Sequence, residues 1–226
     1  MKQIQPFSVI YSDNDIIVFN KKSGLLVAAD RYDKDAPRLD VLAQKEFGEL
    51  LAVHRIDKDT SGLIVYAKNP ESHKNLSMQF EQRKVEKTYH ALIYGRPSWT
   101  EFRADQNLQP DGDDRHRTVV NKRFGKPSIT DFRLIGTCGP YSWVEAKPLT
   151  GRTHQIRAQA ALHNHPLLGD TAYNGIKIDQ NQDFFLHAQT LILPKTNDYL
   201  LKDIKMGQII EAHLPKNFEN FISVYF

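Results

Sequence analysis

A single cysteine, Cys138, stands in 226 residues. That excludes an internal disulfide framework and any paired-cysteine zinc site, and such scarcity fits a reducing, cytoplasmic setting. Long apolar runs are also missing. The strongest, Leu63–Ala67, is strand-sized, far short of the roughly 20 residues a membrane helix needs, so no membrane role is expected. Met1–Phe7 lacks the apolar core of a signal peptide. There is no Walker A loop and no GxGxxG, so no nucleotide cofactor is indicated. His54, His154, His163, His165 and His187 match no zinc template, and no metal is expected. Neither sign of charge dominates: 30 Lys and Arg face 27 Asp and Glu, a net +3. This admits nucleic acid as a partner without demanding it. Repeats, low-complexity tracts and linkers are absent. One domain over residues 1–226 is expected, with two lobes around a cleft as a variant.

What is present reads as interspersed strands and helices. Val9–Tyr11, the turn Ser12–Asp15 and Ile16–Phe19 form a hairpin pattern, and Leu25–Val27 is extended. Tyr32–Arg38 reads as a loop. Leu39, Leu42, Ala43 and Phe47 recur at helical spacing until Gly48. Leu63–Ala67 suits a buried central strand. Asn69-Pro70 then opens a helix that carries Leu76 and Phe80 on one face. Thr88–Tyr94, Ile129–Ile135, Ser142–Pro148, Leu186–Leu193 and Gln208–Leu214 read as strands. Thr153–Leu162 reads as a helix. Asn107–Lys126 and Lys195–Lys205 read as irregular. Without a strict βαβ rhythm, the class is α+β with a mixed or antiparallel sheet.

Three polar segments sit beside apolar strands, where a fold gains nothing from charge. The first is His54-Arg55-Ile56-Asp57-Lys58-Asp59-Thr60-Ser61-Gly62, running into Leu63–Ala67. The second is Lys87-Thr88-Tyr89-His90-Ala91. The third runs from Lys147 through Gly151-Arg152-Thr153-His154-Gln155-Ile156-Arg157 to Gly169-Asp170. A carboxylate between cations, on a loop supported by a rigid strand, is where catalytic side chains tend to lie.

HRIDKDTSGLIVYAKN, KTYHALIYG and KPLTGRTHQIRAQAALHNHPLLGD resemble, in order, the three signature motifs of the RluA family of pseudouridine synthases. SDNDIIVFNKKSGLLV, GKPSITDF and Leu186–Ala188 are similar to further family segments, so the likeness runs from about Val9 to Leu193. Lys22 departs from it, standing where the family usually has proline, and no S4-type RNA-binding domain precedes the hairpin. The resemblance implies a mixed, largely antiparallel sheet with flanking helices and a central active-site cleft. It implies isomerisation of uridine in ribosomal or transfer RNA, without a cofactor. Asp57 then matches the catalytic aspartate and Tyr89 the tyrosine that packs on the target base. Arg157 matches the arginine that pairs with the aspartate, and Arg55 the arginine that fills the place of the flipped uridine.

The chemistry suits these residue types. Cleaving N1–C1′, turning the base and forming C5–C1′ needs no redox partner and no group donor. A carboxylate near C1′ can attack it, stabilise charge there or take the C2′ proton. Lone residues carry blander readings. Asp57 by itself is more often a salt-bridged loop residue, Tyr89 sheet filler, Asp59 a turn or capping residue, and His54 a structural hydrogen-bonding group. Arg152 suits a phosphate contact. The cationic stretch Arg115, Arg117, Lys122 and Arg123 is a solvated hairpin on composition alone; the resemblance makes it a mobile loop that closes on RNA. Two rival readings are an inactive RNA-binding or ribosome-assembly factor, and a magnesium nuclease using Asp57, Asp59 and Asp170. A monomer is expected, since nothing in the chain demands an oligomer.

Overall fold

The opening hairpin forms as its turn chemistry requires. β1 (Phe7–Ser12) pairs antiparallel with β2 (Ile16–Lys21). Asp13 Oδ1 accepts from the amides of Asp15 and Ile16, which closes the turn. The structure, a computed structural model, describes residues 5–29, 35–178, 184–194 and 208–226. The expected loop at Tyr32–Arg38 lies partly, and the irregular stretch Lys195–Lys205 wholly, outside them. Two compact units are formed: Met1–Glu86 with Ala188–His213, and Lys87–His187 with Leu214–Phe226.

In the first unit, α1 (Leu39–Phe47) ends where Gly48, at φ +77°, donates back to the Gln44 carbonyl. A two-residue strand, β3 (Leu51–Ala52), and β4 (Ser61–Ala67) follow. Then comes α2 (Pro70–Glu81), whose N-cap Asn69 accepts from the Ser72 amide at 2.8 Å. Every residue of β4 is buried. One face joins Ile16, Val18 and Leu76 of α2, with Phe80 packed against them. On the other, Tyr66 meets Phe19, which also touches Phe7 and Phe47 of α1. A strand covered on both faces reads as an unbroken apolar run, which is why β4 was recognisable from sequence.

The second unit is a five-stranded antiparallel sheet ordered β5-β9-β8-β6-β7. Its strands are β5 (Glu86–Tyr94), β6 (Glu101–Gln109), β7 (Val119–Val120), β8 (Lys126–Cys138) and β9 (Tyr141–Pro148). α3 (Gln155–Leu162) and a 3-10 turn (Thr171–Tyr173) follow. β10 (Leu186–Ile192) returns its 188–192 part to the first unit, beside β4, where β11 (Ile209–Glu211) pairs with it. α4 (Lys216–Tyr225) closes the chain in the second unit. It seats Phe218 and Phe221 against Leu92, Leu168 and Phe185. The architecture is α+β, mixed and largely antiparallel; the isolated Leu26–Arg38 bridge is parallel. Among the described residues no helix is long and apolar enough to cross a membrane.

Three expectations need correction, and two elements went unread. Asn107–Lys126 is not wholly irregular: β6 runs to Gln109, and β7 pairs with its end at Leu108–Val120 and Gln109–Val119. β6 itself was missed because Glu101, Arg103 and Asp105 face solvent, although Phe102, Ala104 and Leu108 alternate beneath them. The helix expected from Thr153 starts at Gln155, because His154 is left-handed at φ +52°. Gln208–Leu214 shortens to Ile209–Glu211, and α4 had gone unread despite Phe218, Phe221, Ile222 and Tyr225 at helical spacing.

Candidate active site

In the first unit, the 53–60 loop is pinned on both sides of Asp57. Upstream, His54 Nε2 accepts the Val65 amide of β4 at 3.0 Å, and its ring stacks on Phe80 at 4.5 Å. Ile56 is buried. Downstream, the Lys58 carbonyl accepts from Lys21 Nζ at 2.8 Å and from the Gly24 amide at 2.9 Å. Asp57 is half-buried between these anchors, while Arg55 and Lys58 are exposed. Gly62 closes the motif at φ +107°, where a Cβ would lie 2.7 Å from the Ala188 amide nitrogen. Only glycine permits β4 and the 188–192 strand to approach this closely.

Lys21 was not among the expected site residues. It is fully buried, and its ammonium also donates to the Leu25 carbonyl at 2.8 Å and the Lys22 carbonyl at 3.1 Å. Burial pushes it down to about 7, while the carboxylates of Asp59 and Asp57 pull it back up. The Lys22 amide donates to the Pro6 carbonyl at 2.9 Å. A proline there, as in the family pattern, could not make that bond.

In the second unit, β5 carries Tyr89 opposite Ala146 of β9, half-buried against the core that includes Ala91, Phe132 and Ile156. Arg157 lies on α3 and grips Asp170 through two parallel bonds, Nε to Oδ2 at 2.8 Å and Nη2 to Oδ1 at 2.9 Å. Both side chains are buried, at 7% and 1% exposure. The guanidinium lies 5.2 Å from the ring centres of Tyr173 and Phe184. Asp170 is therefore the second-unit carboxylate that orients Arg157. A Gly-Asp pair after an apolar Leu-Leu was the only sequence signal for it.

The same Tyr173 anchors the hairpin loop that precedes β7. Its hydroxyl accepts from the Thr118 amide at 2.7 Å and lies 3.2 Å from His154 Nδ1. Thr118 Oγ1 donates to the Thr153 carbonyl. Arg117 bonds Asp113 at 2.7 Å and the Ala172 carbonyl at 3.0 Å. It thus ties the loop down, whereas Arg115, Lys122 and Arg123 are exposed. Arg152 reaches the Pro127 carbonyl at 3.4 Å. Two buried glutamines of α3 hold the helix to the sheet. Gln155 donates to the Ile129 carbonyl at 3.0 Å, and Gln159 to the Ser128 carbonyl at 2.8 Å. Among the described residues no group of three or more His, Cys, Asp or Glu side chains could hold a metal ion.

The family model described as RNA pseudouridylate synthase matches residues 15–162, a span that contains the Asp57 loop, β5 and all of α3. The chain belongs to the RNA pseudouridylate synthase family. It is an isomerase that acts on RNA, of the RluA type. A dual-specificity RNA pseudouridine synthase RluA from Escherichia coli O6:H1 is 35% identical over 166 residues, covering 73% of this chain and 76% of that one. The ribosomal large subunit pseudouridine synthase D of Borreliella burgdorferi is 30% identical over 232 residues, covering 98% of this chain and 69% of the other. Solved structures of the human RNA pseudouridylate synthase domain containing 4 and 1 proteins share the fold. Their TM-scores are 0.75 and 0.70 at 23% and 24% identity; they cover 95% and 99% of this chain, which covers 91% and 96% of theirs.

Proposed function

We propose that this synthase isomerises uridine to pseudouridine in ribosomal or transfer RNA, with Asp57 as the catalytic carboxylate. The observation that carries the assignment is the way the Asp57 loop is held. A half-buried acid sits between His54, Ile56 and the Lys21–Lys58 contact, on the loop that leads into a fully buried strand. Such fixation is what positioning a carboxylate at C1′ requires. The acid attacks C1′ or takes the C2′ proton. N1–C1′ breaks, the uracil turns, C5–C1′ forms, and the hydrogen on C5 is replaced by one on N1. Atoms balance without a donor or an oxidant.

Tyr89 supplies a ring face for the detached uracil. Arg157, oriented by Asp170, is the motif arginine of the second unit. Exposed Arg55 fills the stack that the flipped uridine leaves, which offsets part of the few kcal/mol that flipping costs. Arg115, Arg152, Lys122 and Arg123 contact phosphates, and His54 serves the site by fixing the loop. The name of the Escherichia coli relative supports RNA as substrate, and that of the Borreliella burgdorferi relative supports the ribosomal class. The test is Asp57→Asn, assayed by pseudouridine mapping of ribosomal and transfer RNA. Turnover should vanish while RNA binding persists; turnover within tenfold of wild type would remove Asp57 from the chemistry.

A further inference from the structure

Phe124 stands in the turn that connects β7 to β8, both of which pair with β6, and is 65% exposed, more than any other described aromatic side chain. A ring of this size left in water forgoes stabilisation that burial would supply, and what surrounds it decides whether it has a use. The turn beneath it is tightly built. Asn121 Oδ1 accepts from the amides of Arg123 at 2.9 Å and Phe124 at 3.0 Å. Asn121 Nδ2 donates to Gln109 Oε1 at 2.7 Å, and the Gly125 amide returns to the Asn121 carbonyl at 2.8 Å. At Gly125 a Cβ would come within 2.7 Å of the Asn107 carbonyl carbon. The turn therefore presents Phe124 outward on a closed frame rather than on a slack loop.

Charge around the ring is one-sided. Arg103 and Arg133, on the strands that lead away from the tip, are neutralised by Asp131 and Glu145. Lys122, Arg123 and Lys126 are exposed and have no carboxylate partner among the described residues. The Arg123 guanidinium lies 4.9 Å from the Phe124 ring centre. A rigid aromatic among unpaired cations matches a nucleic-acid strand at two points, the base by its π-face and the backbone by its charge.

We propose that Phe124 is a base-stacking subsite for a single-stranded nucleotide of the RNA substrate, with Lys122, Arg123 and Lys126 on the adjacent phosphates. This rests on the reading of RNA as substrate. It adds a contact that discriminates unpaired bases from duplex, because a base inside a helix has no free face to offer. The subsite distinguishes strand structure rather than sequence, since every base has a face to stack.

The test uses a uridine-containing single-stranded 20-mer RNA and the same strand with abasic ribose in place of its bases. Wild type should bind the base-bearing strand more tightly. Phe124→Ala should weaken that binding by about tenfold or more, abolish the preference over the abasic strand, and leave the salt slope unchanged. Arg123→Gln should instead flatten the slope by about 0.7. Phe124→Trp should restore affinity and show indole quenching beyond that of Trp99 and Trp143 in wild type. Phe124→Leu should bind as weakly as Phe124→Ala. Full affinity in Phe124→Leu would assign the tip to a general apolar contact, such as a protein partner, and overturn the proposal. So would an affinity of Phe124→Ala within twofold of wild type, or failure of wild type to prefer the base-bearing strand. Isomerase assays of the same proteins separate the two readings. Normal turnover with unaltered Phe124→Ala binding defeats the subsite alone. Phe124-dependent binding with Asp57→Asn fully active defeats the catalytic assignment alone.

Discussion

Replacing Asp170 by asparagine tests how Arg157 is held. The side chains are 7% and 1% exposed and share two bonds of 2.8 and 2.9 Å. Asparagine keeps the shape but offers one oxygen, and it turns an amide N–H₂ towards a guanidinium that can only donate. One bond is lost and a buried cation loses its carboxylate. Breaking a buried pair from one side costs about 3–5 kcal/mol. For a chain of this length each kcal/mol lowers the melting temperature by about 2–4 °C, so the drop should be about 6–20 °C. Removing the cation as well, in Asp170→Asn with Arg157→Met, should recover much of the stability, because the uncompensated charge is gone. Melting followed by circular dichroism, with urea titrations for the energies, measures all three proteins. At the same temperature, below every transition, both should isomerise more slowly than wild type. An Asp170→Asn protein melting within 2 °C of wild type would refute the argument, as would a double variant no more stable than the single one.

Lys21 makes stability depend on pH with a definite sign. The unfolded chain holds this proton up to about 10.5, the folded chain only up to about 7, because burial outweighs the neighbouring acids. Between those values the unfolded state binds more protons, so stability rises with pH across that window and levels off beyond both ends. Relative to Lys21→Met, wild type should gain on the order of 4 kcal/mol between about pH 7 and 10 in urea titrations; parallel pH profiles would refute the shift. Gly62→Ala should cost about 3 kcal/mol or more, since a Cβ at φ +107° meets the Ala188 backbone; a soluble variant with unchanged melting would show that β4 can move aside.

Much of the local structure around the candidate site could be read from residue order, because local patterns carry it. The hairpin turn, the unbroken apolar run of β4, the Asn69-Pro70 helix start and the three polar segments all depend on neighbours within a few residues. The partners of those segments depend on chain crossings that no local pattern encodes. Arg157 meets Asp170 because α3 and the turn after it fold back on one another. Lys21 looks in sequence like the polar end of a strand, yet closure of the Ser23–Gly24 turn against Lys58 buries it completely. Arg117 reads as one more exposed cation until Tyr173 and Ala172 arrive beneath it. β6, polar on its outer face, becomes a strand because β8 supplies eight residues of register along its edge. Burial and pairing of charge are properties of the three-dimensional neighbourhood, and there desolvation makes the choice of partner matter most.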